Sequence, residues 1–223
     1  MTLERFREGV WSTPRPARFF GVETGTRMTV VELGGGGLFV HSPVALDDAT
    51  RAAVDALGEV RAVVAPSIFH HLHVGGWLAA YPDAVVAACP GLDLKRPDLA
   101  FTQVLGDQAH PVWAPDLDQV LVSSRRENEV GFFHRPSRTF ICADLLLHLS
   151  THPDEVTRFV ARALGNSAPG VGWVEPLMVR DRKLARRQVD RMLAWDIDGV
   201  LLAHGEPLQH EGREALRHAY AWL

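Results

Sequence analysis

Cysteine is nearly missing from this sequence: Cys89 and Cys142 are the two in 223 residues. They form no C-x-x-C pair, which argues against a cysteine-built zinc site. Each sits in or beside an apolar, strand-like run, where a buried free thiol in a reducing cytosol is the simplest reading. Long hydrophobic runs are also missing. Nothing approaches the ~18 apolar residues of a membrane span. The mixed opening residues, with Glu4, Arg5, Arg7 and Glu8, lack the apolar stretch of a signal peptide. A cytoplasmic protein without a membrane partner is therefore expected. Strong charge of one sign is absent too. A net charge of −4 speaks against broad electrostatic binding of nucleic acid or an anionic membrane. There is no internal repeat and no low-complexity segment. The run Gly34-Gly35-Gly36-Gly37 is too short for a linker, and it follows no G-x-G-x-x-G scheme leading into a helix, so a phosphate cradle is poorly supported.

What is present is an ordinary globular composition, 47% hydrophobic and 22% charged. The length suits one domain spanning residues 1–223, with 1–26 as an irregular lead-in carrying one short strand at most. Residues 28–33 and 38–41 read as a hairpin across the glycine run. A helix opens at Asp47-Asp48 and runs to about Leu57. The β-branched stretch 60–65 is the next strand, followed by a short helix over 76–81 and a buried strand over 84–89. Residues 90–118 are rich in proline and loop-like, and with 165–180 they are expected to shape a pocket. Strands follow at 119–122, 129–133 and 138–143, then helices over 154–164 and 181–195, a strand at 199–203 and a C-terminal helix from about Glu211. The basic residues Arg182, Lys183, Arg186 and Arg187 are interleaved with Asp181 and Asp190, as on a solvated helix face. This alternation of strands and helices is that of a layered α/β domain.

Three of the 11 histidines fall within four positions, His70, His71 and His73. They follow a strand and precede a helix that opens at Gly75-Gly76. A loop at a strand end can aim several imidazoles at one point, and histidine is the commonest metal ligand. Other strand ends carry His41, Asp144 and His204. Each has an ordinary reading: a capped strand end, a helix N-cap, a turn residue. Together, imidazoles and a carboxylate have the composition of a divalent metal site.

In this order the features resemble the metallo-β-lactamase superfamily over roughly residues 27–210, most closely a poorly characterised subfamily built on a domain of unknown function. The superfamily's H-x-H-x-D-H-x-G-G loop is matched by residues 68–76: His70 and His73 stand at its second and last histidines, and Gly75-Gly76 at its glycines. Ile68 replaces the first histidine and Leu72 the aspartate. The Gly-Asp strand end is matched by Ala143-Asp144, and the terminal Gly-His-Gly by Ala203-His204-Gly205. His41 ends the strand that usually carries an aspartate beneath the site. No histidine stands at 123–127, where the family's middle one is expected.

The resemblance implies an αββα sandwich of two mixed sheets flanked by helices. It implies metal ligands at His70, His73, Asp144 and His204, with His73, Asp144 and His204 sharing one metal position and His70 belonging to a depleted second one. One ion is then expected, zinc, with iron as the alternative. His71 and His41 are spare imidazoles that could act as the base in place of the lost carboxylate at Leu72. The implied activity is metal-dependent hydrolysis of a small ester, thioester, lactam or phosphoester, the metal lowering the pKa of a bound water to roughly 7. The rival reading is an inactive relative that keeps the fold for a binding or structural role. Substrate and oligomeric state are not legible.

Overall fold

The structure is a computed structural model that describes residues 3–124, 128–173 and 175–223. Its first sheet has seven strands: β1 (Glu4–Arg7), β2 (Val10–Arg15), β5 (Thr26–Glu32), β6 (Gly37–His41), β7 (Glu59–Ala65), β8 (Val85–Ala88) and β9 (Gln103–Val104), in the order β1-β2-β5-β6-β7-β8-β9. Pairing is antiparallel as far as β6 and parallel beyond it. The second sheet runs β10 (Leu117–Ser123), β11 (Asn128–His134), β12 (Thr139–Ile141), β13 (Gly199–Leu201), the last pair being parallel. A small separate hairpin, β3 (Arg18–Phe19) and β4 (Val22–Glu23), projects between β2 and β5.

Side-chain alternation builds the layers. Val31, Phe39, Ala62 and Val64 face inward from the first sheet and meet Val130, Phe132, Ile141 and Leu201 from the second. Their strand neighbours point the other way. Val30, Val40 and Val63 pack under α1 (Asp48–Asp55) and α2 (Val74–Ala80), while Phe133, Phe140 and Val200 pack under α6 (Arg182–Leu193) and α7 (Gly212–Ala219). A period of two on every central strand thus yields two helix layers outside two sheets. Short helices α3 (Leu92–Lys95), α4 (Glu155–Ala163) and α5 (Glu175–Met178) lie in the connections. On the exposed face of α6, Arg186 pairs along the helix with Asp190 at 2.6 Å, while Arg191 pairs with Asp107 outside it.

The residues read as an irregular lead-in are two strands of the large sheet and the projecting hairpin. Pro14 hides this in the sequence, since proline has no N–H for a ladder. It is tolerated because β1 pairs with β2 only as far as Ser12, leaving Pro14 bordered by β5 alone.

At one end of the sandwich the two sheets are joined directly. The Val130 amide donates to the Pro66 carbonyl at 2.9 Å, and Ser67 bridges to Glu129. The loops after β7, β12 and β13 leave from this end.

Candidate metal centre

His70 stands five residues past β7, Asp144 three past β12 and His204 three past β13. Their side chains converge. His70 Nε2 lies 3.2 Å from His204 Nε2 and 3.4 Å from Asp144 Oδ2, and His204 Nε2 lies 3.3 Å from Asp144 Oδ1. All three residues are partly buried, and one potential ligand atom of each falls within 4.8 Å of the others.

Each candidate ligand is aimed by a partner that the sequence does not advertise. His204 donates from Nδ1 to the Gly25 carbonyl at 2.7 Å, which fixes the ring with Nε2 facing Asp144. His70 Nδ1 meets Ser42 Oγ at 2.6 Å. Ser42 is buried, and its φ of 53° places a non-glycine residue in the left-handed region, a cost the fold carries directly under the site. Asp144 is held through its backbone: the amides of Ala143 and Asp144 donate to the two oxygens of Glu129 at 2.6 and 2.7 Å. Arg27 reaches across from β5 and donates to the carbonyls of Leu202 and Gly205, on either side of His204. At Gly205, φ is 97° and any Cβ would collide with the His148 carbonyl, so only glycine keeps this turn.

Electrostatics follow from the contacts. Burial would push the Asp144 carboxyl up, but His70 and His204 hold it well below the usual carboxylate range. Burial would likewise lower His204, yet its bonds to Asp144 and to the Gly25 and Thr24 backbone leave it raised. Beside them a cleft runs from Asp144 past Ser124, Glu175 and Tyr220; burial, and then the Asp144 charge, raises the Glu175 carboxyl.

The other histidines are placed differently. His73 is exposed and begins α2 without a capping bond. Burial of Val74 and Trp77 at helical spacing turns it outward. His71 accepts at Nδ1 from Arg96 at 2.9 Å; burial and the neighbouring Lys95 and Arg96 lower its pKa. His41 is 1% exposed, edge-on to Phe132, with its pKa driven down to about 3 by burial and the His70 charge. Ile68 packs with Val74 and Leu92, whereas Leu72 is exposed. Positions 125–127, part of the stretch where a middle histidine was sought, lie outside the described residues.

The donor set fits a single tetrahedral ion. Ligand bonds of about 2.0–2.1 Å put neighbouring donors roughly 3.3–3.4 Å apart, close to the three separations observed. Three protein donors also leave a fourth position open. The sequence matches the family described as Domain of unknown function (DUF4336) over residues 7–170. The chain belongs to this family. His70 and Asp144 fall inside the matched span and His204 beyond it. No curated protein matches the chain. Among solved structures it is similar to a metallo-β-lactamase from Erythrobacter litoralis, at 13% identity and a TM-score of 0.69, covering 99% of this chain and 96% of that one. It is similar also to the DIM-1 metallo-β-lactamase, at 14% identity and a TM-score of 0.68, covering 98% and 94%. A third is the FIM-1 metallo-β-lactamase of Pseudomonas aeruginosa in its mono-zinc form, at 16% identity and a TM-score of 0.64, covering 99% and 93%. The fold of this family member is that of the metallo-β-lactamases. Among the described residues no helix is long and apolar enough to cross a membrane.

Buried neutral histidines make the fold acid-sensitive. Burial drives His134 to about 4, with Asp116 opposing and Arg135 reinforcing the shift, and it drives His41 to about 3. In the unfolded chain both titrate near 6.5. Above that pH neither contributes. Below it the unfolded state takes up protons that the folded state refuses, so stability falls by about 1.4 kcal/mol per pH unit for each histidine until the folded pKa is reached. Urea titrations across this range should show the decline, with a shallower one in His134→Gln. An equal slope in that variant would discount His134.

Proposed function

We propose that the chain is a metal-dependent hydrolase with one ion held by His70, Asp144 and His204, zinc first and iron as the alternative. The convergence of these three donors at tetrahedral spacing carries the reading. An ion at this position supplies Lewis acidity, polarising an acyl or phosphoryl oxygen and acidifying water. The chain's own residues do the rest. Asp144 contributes the negative charge that offsets the cation, and Glu129 fixes its backbone. Gly25 and Ser42 set the two imidazoles so that Nε2 of each points inward. Hydrolysis adds one water across the scissile acyl or phosphoryl bond and releases an acid and an alcohol, thiol or amine.

In this reading His73, a ligand by sequence register, has no part in the shell. Neither His71, engaged by Arg96, nor His41, closed off by Phe132, serves as the base. The rival, an inactive relative with a binding role, draws on Ile68 and Leu72 at positions where donors are expected; among the described residues no second group of donors gathers.

Metal analysis of protein purified without a histidine tag should give about one equivalent of zinc or iron. A screen of ester, thioester, lactone and phosphodiester substrates with added zinc, iron or manganese should then reveal turnover. Protein that neither carries nor takes up metal would sink the hydrolase; metal without turnover across the screen would favour the binding role.

A further inference from the structure

Helix α4 carries its apolar stripe on the outside. Val156, Phe159 and Ala163 stand at the i, i+3, i+7 spacing of one helix face, which ordinarily packs on a core. Here that face meets solvent: Val156 is 63% and Phe159 72% exposed, with Ala163 exposed beside them. The buried residues are Thr157 and Ala161 instead. Thr157 fixes this orientation. Its Oγ1 donates to the Glu23 carbonyl at 2.7 Å, and its amide donates to the capping Asp154 carboxylate at 2.9 Å.

The apolar surface continues past the helix. Trp173 lies across its end, donating from Nε1 to the Ala163 carbonyl and from its amide to the Leu164 carbonyl. Leu164 is 42% and Trp173 53% exposed. Together these side chains leave on the order of 450 Å² of apolar surface uncovered, within the range of the largest patches on monomers, which often serve binding. A standard interface takes ~800 Å² from each partner, of which roughly 450–520 Å² is apolar. The patch has the area of one half of such an interface.

The charges along the stripe point to the occupant. Glu155 stands at one end, its side chain 90% exposed, and Arg162 stands exposed at the other. Opposite signs at the two ends of an apolar stripe complement themselves across a two-fold axis. A second α4 laid antiparallel across the first sets Phe159 against its copy and each Glu155 opposite the partner's Arg162. Within the chain Glu155 meets Arg158 at 3.4 Å, but that guanidinium is engaged by the His152 and Pro153 carbonyls. A lipid-surface helix has a rim rich in Lys and Arg, whereas this one carries Asp154 and Glu155 as well.

We propose that α4 is the contact of a two-fold homodimer, with Val156, Phe159, Ala163, Leu164 and Trp173 at its centre and a Glu155–Arg162 pair at each end.

Sedimentation equilibrium of the untagged protein between about 1 and 100 μM should show a dimer, since interfaces of this size bind at micromolar affinity or tighter. Phe159→Glu should be monomeric, with its dissociation constant raised by more than about 100-fold. Position 159 is exposed, so its circular dichroism should match the wild-type protein. Glu155→Arg and Arg162→Glu test the orientation. Each alone sets like charges at both contacts and should weaken the dimer by about 10-fold. Mixed in equal amounts, the two variants oppose unlike charges again and should associate with each other as the wild-type protein does with itself. A wild-type monomer at the highest concentration overturns the proposal, as does a dimer that Phe159→Glu leaves intact. A mixture that fails to associate overturns the antiparallel pairing. Co-sedimentation with anionic lipid vesicles that Phe159→Glu abolishes would give the face to a membrane and overturn the dimer.

Discussion

His70→Ala, Asp144→Ala and His204→Ala should each lose zinc affinity by more than about 100-fold, beyond the 10–100-fold cost of removing an outer partner. His73→Ala should bind as the wild-type protein does. The contrast comes from geometry. The first three residues meet within 4.8 Å, whereas His73 is turned to solvent by the register of α2. Asp144→Asn is the sharper form of the test. It keeps the size of the side chain and removes the charge, and with it the compensation for a cation among imidazoles. Competition against a fluorescent chelator measures all five variants. Retained affinity in His70→Ala together with loss in His73→Ala would place the ion in the shell implied by the sequence motif instead.

The second large effect is expected at Glu129. Its carboxylate accepts from two buried amides, at 2.6 and 2.7 Å, and it is 2% exposed. Glu129→Ala strands both donors, each costing on the order of 1–3 kcal/mol. The same change relieves repulsion between Glu129 and Asp144, which works in the opposite direction. Two bonds to an ionised acceptor outweigh that relief, because hydrogen bonds to charged groups contribute about 1.5–3 kcal/mol each. Net destabilisation is expected in urea, along with a 10–100-fold loss of zinc affinity as the Asp144 loop drifts. Glu129→Gln keeps one acceptor oxygen and should recover part of both. If Glu129→Ala unfolds and binds zinc like the wild-type protein, the two amides have other partners and Asp144 is held by something else.

Sequence patterning reached the sandwich because the layers are written in local alternation. Pairs such as Val30-Val31, Phe39-Val40 and Phe132-Phe133 face opposite layers, and a period of two is visible in a short window. It failed where the local signal conflicted with tertiary context. Pro14 argued against a strand that survives because one side of it is unpaired. His73 fitted a motif, but one turn of helix decided its direction. Asp144 and His204 stood out as polar residues ending apolar strands. Their supports did not. Gly25 lies 179 positions from His204, and Ser42 lies 28 from His70. No spacing rule connects such pairs. Glu129 did leave a trace, as an acid at the head of the apolar run Val130-Gly131-Phe132-Phe133; an acid in a strand otherwise buried is worth asking about wherever one occurs.

The separation of the three donors along the chain bears on how the protein assembles. His70 and His204 are 134 positions apart and follow strands of different sheets, so their meeting depends on long-range pairing in both sheets, the parallel β12–β13 pair included. Such a site closes late, after the slow long-range pairings that set the rate. An ion captured there holds the finished structure and gives little help to the transition state. It should therefore slow unfolding in proportion to its affinity and leave the refolding rate nearly untouched.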